Sequence, residues 1–115
     1  ALLSDLNSSG MLDETIVVLT TEFGRTPKIN QNTGRDHYPK AFSALLAGGG
    51  IKGGTVYGKT DKNGAEPIED PVTIADFNAT IAYGCGLPLD QRLFSPRARP
   101  FTVANHGDPI KDLYN

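Results

Sequence analysis

Ile16-Val17-Val18-Leu19-Thr20-Thr21-Glu22-Phe23-Gly24-Arg25-Thr26-Pro27 is the stretch that decides the fold. Its first half is apolar and rich in β-branched residues, which predicts a strand from Thr15 to Thr20 buried on both faces, as in a parallel sheet. Its second half turns polar at Thr21 and breaks at Gly24 and Pro27. A strand that opens into such a loop delivers side chains to a sheet edge, where open α/β folds build their sites. The loop continues through Gly34-Arg35-Asp36-His37-Tyr38-Pro39. It gathers carboxylates, two arginines and one of only 2 histidines in the chain. Long loops that collect chemistry in this way point to function more strongly than core positions do.

Outward from this loop, Ala41-Phe42-Ser43-Ala44-Leu45-Leu46-Ala47 is a short apolar run that ends at Gly48-Gly49-Gly50. It reads as a second buried strand, although its length also accommodates a helical turn. Gly53 to Gly58 reads as a short edge strand, and Thr60 to Pro71 as turn and loop. Upstream, Ala1 to Leu6 has the pattern of the end of an amphipathic helix, with Gly10 placed to stop it. No start signal precedes that helix tail, so the chain is expected to be the C-terminal part of something longer. Downstream, Thr73 and Asp76 form a capping-box-like start for a helix whose apolar face carries Ile74, Phe77 and Ile81, with a stop at Gly84 or Gly86. Leu87 to Asn115 reads as loop, with one strand at Phe101 to Ala104.

Composition narrows the function classes. The 115 residues suffice for one small domain, expected to span 1–115, and 13 glycines with 8 prolines suit a loop-rich globular piece. A net charge of −2 offers no general attraction to nucleic acid. No apolar run approaches the ~20 residues that span a bilayer, and no basic-then-apolar leader is present. The single cysteine, Cys85, has no partner within the chain and reads as a small buried residue at a helix end.

The candidate chemistry sits in the central loop. Asp36 and His37 are ordinary zinc-ligand types, or else a hydrogen-bonded pair that stiffens the loop. Glu22, at a strand end, can be a ligand or general base, or can pair with Arg25 or Arg35. Those arginines can instead hold an oxyanion, because a guanidinium fork matches phosphate or sulfate. Gly48 to Gly54 does not make a phosphate loop, since Lys52 is followed by two glycines where a serine or threonine opening a helix is required. It reads as a tight turn between strands, and His106 as part of another turn.

The stretch from Glu22 to Asp61, EFGRTPKINQNTGRDHYPKAFSALLAGGGIKGGTVYGKTD, is similar to the signature of a large uncharacterised bacterial family. The similarity extends from about Leu6 through PVTIADFNATI (71–81) to Asp108-Pro109-Ile110. That family, a domain of unknown function often described as sulfatase-like, is grouped with the alkaline phosphatase and arylsulfatase superfamily. The resemblance implies an α/β fold, the C-terminal part of an alkaline-phosphatase-like sheet flanked by helices. It implies a metal-dependent hydrolase of sulfate or phosphate esters, with zinc, calcium or a similar divalent metal. In that superfamily a buried strand ends in a Thr-x-Asp-His-Gly-like motif whose Asp and His bind metal. By the resemblance Glu22 stands where the aspartate does, and Phe23 replaces the histidine. A further metal-binding histidine just before an apolar strand is matched by His37, with Asp36 as a helper. Arg25 and Arg35 would bind the ester's non-bridging oxygens.

The superfamily's nucleophile lies near the N-terminus of the full domain, and Cys85 is wrongly placed to be it. This chain alone is therefore expected to be inactive, with the remainder of its own full-length chain and an ester or polyanionic substrate as its partners. Full-length members often begin with a twin-arginine signal, which implies a periplasmic or secreted protein. The rival reading is a non-catalytic alkaline-phosphatase-like module that binds a polyanion or a protein, and the Phe23 replacement speaks for it.

Overall fold

The computed structural model describes residues 1–115 as an α/β chain of short helices and two-stranded pairs. The strands are β1 (Val17–Leu19), β2 (Gly24–Arg25), β3 (His37–Tyr38), β4 (Leu45–Ala47), β5 (Lys59–Thr60), β6 (Pro67–Glu69), β7 (Leu93–Phe94) and β8 (Pro100–Phe101). The α-helices are α1 (Leu2–Ser8) and α2 (Ile74–Gly84), with short 3-10 turns at Leu12–Glu14, Val103–His106 and Lys111–Leu113. β1 pairs with β4, and the pairs β2–β3, β5–β6 and β7–β8 are antiparallel. These strands do not by themselves form the larger helix-flanked sheet that the resemblance implies. The chain divides into two compact units, one of residues 1–17, 47–55 and 72–115, the other of 18–46 and 56–71.

In the first unit the core lies along α2. Thr73 caps this helix: its hydroxyl accepts the Asp76 N–H at 3.1 Å, and the Asp76 carboxylate accepts the Thr73 N–H at 3.4 Å. The capping box read from the sequence is thus formed, and such a cap stabilises a helix by about 1 kcal/mol. Ala79, Thr80 and Ala82 are buried. Small residues let the C-terminal segment lie close against the helix, and three hydrogen bonds hold it there. Asp108 N–H donates to Asp76 Oδ1 at 2.8 Å, Ile110 N–H to Thr80 Oγ1 at 3.0 Å, and the Tyr114 hydroxyl to the Thr80 carbonyl at 2.7 Å. Burial pushes the Tyr114 phenol above its ordinary pKa. Before this segment, Ala104, Asn105 and His106 adopt positive φ of 58°, 48° and 63°. A left-handed run without glycine is costly for each residue.

In the second unit no side chain is fully buried, and hydrogen bonds carry much of the order. Tyr38 donates its hydroxyl to the Ala65 carbonyl at 2.8 Å, and Lys40 pairs with Glu66 at 3.0 Å. Asp61 Oδ1 accepts the N–H groups of Ala65 and Glu66 at 2.7 and 3.2 Å, which folds residues 59–69 into a hairpin.

Several local expectations are corrected. β1 is shorter than Thr15–Thr20, and Leu19 is 68% exposed instead of buried. Gly53–Gly58 is not a strand; the strand follows at Lys59–Thr60 and pairs within the segment expected to be loop. In the Phe101–Ala104 stretch only Phe101 is in a strand, because the left-handed run turns the backbone away. Cys85 caps the C-terminus of α2 and is exposed. Gly48, Gly49 and Gly50 do form a tight turn, with φ of 75°, 54° and 83°.

Candidate functional site

The loop after β1 folds back on itself as a hairpin. β2 and β3 pair with Gly24 opposite Tyr38 and Arg25 opposite His37. Gly24 is required by close approach: a Cβ there would lie 2.6 Å from the Ala41 carbonyl oxygen. The intervening residues are tied by their own polar groups. Thr26 N–H donates to the Asp36 carbonyl at 3.0 Å, and Asp36 N–H returns a bond to Thr26 Oγ1 at 3.1 Å. Asn30 Oδ1 accepts the N–H groups of Asn32 and Gly34 at 2.9 and 3.0 Å. A loop this long is ordered because its Asn and Thr side chains satisfy its backbone.

This arrangement distributes the predicted site residues unevenly. Glu22 and Arg25 line an open cleft of about 530 Å³, together with Thr21, Phe23, Gly24, Ala41, Phe42 and Ser43. Arg35, Asp36 and His37 are not among its walls. Glu22 takes part in neither of the chain's ion pairs, Lys40–Glu66 and Lys59–Glu69, so the expected pairing with Arg25 or Arg35 is not formed. Asp36 does not bond to His37; its Oδ1 accepts from Asn30 Nδ2 at 3.0 Å. His37 instead stacks on Phe23, with ring centroids 3.9 Å apart and planes 25° from parallel.

The arginines differ in their engagement. Arg35 Nη1 donates to the Thr26 carbonyl at 2.8 Å and also to the Pro27 carbonyl, bracing the loop from within. Arg25 makes one long bond, Nη1 to the Arg35 carbonyl at 3.3 Å, and its guanidinium lies 5.9 Å from the Phe23 ring centroid. A guanidinium carries five N–H donors, so each arginine retains free donors for an anion.

As a donor set for a metal, Glu22 and His37 combine carboxylate and imidazole, a pairing suited to zinc. Neither group is spent on an ion pair. The set is partial: no group of three or more His, Cys, Asp or Glu side chains converges in this chain. The residues present do not complete a coordination shell.

Sequence reading missed Phe23 as a partner of His37, since only the hairpin register brings the two together. Asn30 reads in the sequence only as a breaker of the loop between Pro27 and Gly34; the structure adds that its amide oxygen accepts two backbone N–H groups. Neither a curated protein nor a solved structure matches the chain. The model of one family, described as protein of unknown function (DUF1501), matches residues 1–114. With nearly every residue covered, the chain belongs to the DUF1501 family.

Proposed function

We propose that the protein carrying this chain is a metal-dependent hydrolase of sulfate or phosphate esters, and that the chain forms the C-terminal part of its alkaline-phosphatase-like domain. The observation that carries this reading is the hairpin after β1, which pairs Arg25 opposite His37, while Glu22 and Arg25 line an open cleft. Glu22 Oε and a ring nitrogen of His37 would hold a divalent metal such as zinc or calcium, with the remaining ligands from outside residues 1–115. A metal so bound supplies Lewis-acid polarisation of the ester oxygen. Arg25 binds the non-bridging oxygens with its free N–H donors, and Arg35 both braces the loop and offers donors of its own. Asp36, held by Asn30, steadies the residue before His37. The nucleophile lies outside this chain, so residues 1–115 alone are inactive.

The same family reading assigns the protein to the periplasm or the exterior, which cell fractionation would test.

A second reading is a non-catalytic module that binds a polyanion or a protein partner. The Phe23 ring at a position that the resemblance gives to a metal-binding histidine favours it. Elemental analysis of the full-length protein separates the two. Stoichiometric metal in the wild type, lost in Glu22→Ala and in His37→Ala, together with turnover of an aryl sulfate or phosphate, is the expected result. A folded wild type purified without chelator and free of metal would refute the hydrolase reading.

A further inference from the structure

The sequence carries Arg-x-Phe twice, at Arg92-Leu93-Phe94 and at Arg99-Pro100-Phe101, and the β7–β8 hairpin folds the two copies onto each other. Leu93 lies opposite Phe101, and Phe94 opposite Pro100. Alternation along a strand puts each arginine on the same face as the phenylalanine two residues on. One face of the hairpin therefore carries Arg92 and Phe94, the other Arg99 and Phe101, with Arg97 in the turn between them. Phe94 is 63% and Phe101 46% exposed, and all three arginines are exposed. None of these guanidinium groups is in an ion pair, since Lys40 and Lys59 make the chain's two. No acidic residue occurs between Asp90 and Asp108. A chain of net charge −2 thus concentrates uncompensated positive charge on one hairpin.

The turn at the tip is closed by its own groups. Ser95 N–H donates to the Arg99 carbonyl at 3.0 Å, Ala98 N–H to the Ser95 carbonyl at 2.9 Å, and Arg99 N–H to Ser95 Oγ at 3.1 Å. Pro96 and Pro100 have no N–H to satisfy. We propose that this hairpin docks on an anionic phospholipid surface, its arginines on the headgroup phosphates and Phe94 and Phe101 in the interfacial layer beneath. Guanidinium forks match phosphate oxygens, and long arginine stems let the charge stay at the headgroups while the rings go deeper. Screening within about 8 Å at physiological ionic strength keeps the rest of this acidic chain from opposing the contact. Such a surface lies on a membrane without spanning it, in keeping with a chain in which no helix is long and apolar enough to cross one. Two features favour lipid over a protein or a nucleic acid. A macromolecular partner covers one face of a hairpin, whereas both faces here carry the same arginine–phenylalanine pair, as suits a tip surrounded by its medium. Backbone groups that enter a low-dielectric layer need partners of their own, and this turn supplies them. The inference is independent of the ester-hydrolase reading.

The test is co-sedimentation of the full-length protein with vesicles of equal parts phosphatidylcholine and phosphatidylglycerol, beside vesicles of phosphatidylcholine alone. Wild type should bind the mixed vesicles, leave the plain ones largely unbound, and dissociate as salt is raised. Replacing Arg92, Arg97 and Arg99 together by glutamine should weaken binding about a hundredfold, at about fivefold per arginine. Replacing all three by lysine should retain most of it. Phe94→Ser combined with Phe101→Ser should weaken binding about tenfold. In Phe94→Trp, the added indole emission should shift to the blue when mixed vesicles are bound. Absence of wild-type binding, equal binding to the two kinds of vesicle, or a glutamine variant that binds as wild type does would overturn the proposal. So would an emission in Phe94→Trp that bound vesicles leave unmoved. A wild type that ignores vesicles but takes a single-stranded oligonucleotide or polyglutamate through the same arginines would assign the hairpin to a nucleic acid or a protein instead.

Discussion

Replacing Thr80 by valine tests how the C-terminal segment is held to α2. Thr80 is fully buried, and its Oγ1 accepts the Ile110 N–H at 3.0 Å while donating to the Asp76 carbonyl at 2.7 Å. Valine is close in shape, so no large cavity opens. What is lost is the acceptor for Ile110, whose N–H is left part-buried without a partner. That penalty is about 2 kcal/mol, within the range for an orphaned donor. At about 2.1 cal/mol/K per residue of unfolding entropy, it corresponds to a melting temperature about 8 °C lower for a chain of this length. Thr80→Ser keeps the oxygen and loses one methyl, so it should cost only about 1 kcal/mol. Thermal melts followed by circular dichroism give the order wild type, serine, valine, and amide exchange at Ile110 should speed up in the valine variant alone. A valine variant as stable as the wild type, or more stable than the serine variant, would refute this account of the segment's attachment.

Further outcomes follow from other contacts. Gly107→Ala places a Cβ against the Ala75 carbonyl and Asp76 amide of α2; neither backbone atom can yield cheaply, so a loss of about 1–3 kcal/mol in denaturant melts is expected. The Thr73 hydroxyl, and then the Asp108 N–H, lower the pKa of Asp76 below the usual aspartate value. A depressed carboxyl contributes stability above its unfolded pKa and loses it as pH falls through the folded one. The stability gap between wild type and Asp76→Ala should therefore be full at neutral pH and shrink on acidification through and below the ordinary aspartate range; a gap that grows in acid would contradict it. Arg35→Ala removes both bonds that Arg35 Nη1 makes to the Thr26 and Pro27 carbonyls, so limited proteolysis should cut within residues 28–34 faster than in wild type. Cys85, exposed at the end of α2, should react with a thiol reagent equally fast in native and unfolded protein.

What could be read in the sequence was what local chemistry controls. The Thr73–Asp76 cap and the helix it starts depend on residues three apart, and the loop after Leu19 announces itself through Gly24, Pro27 and Gly34. The hairpins were harder, because two-residue strands such as Gly24–Arg25 and Lys59–Thr60 have no periodicity to detect. Their pairing is imposed by side chains elsewhere, Asp61 in one case and Thr26 with Asn30 in the other. Leu19 was expected to be buried because its strand is apolar throughout, yet apolarity states a preference and not the presence of a neighbour. Within the site, Glu22, Arg25 and His37 were legible as chemistry. The stack of His37 on Phe23 was not, since it depends on cross-strand register.

The division of the chain carries a consequence for its ancestry. The backbone passes between its two units four times, after Val17, Leu46, Thr55 and Pro71. No single break in the gene yields either unit whole, so neither can be borrowed, duplicated or discarded by simple exon-like shuffling. The hairpin with Glu22 and His37 and the helix that anchors the C-terminus must be inherited together. A transplant of the unit that holds the hairpin into another scaffold would have to carry the 18–46 and 56–71 segments as a pair.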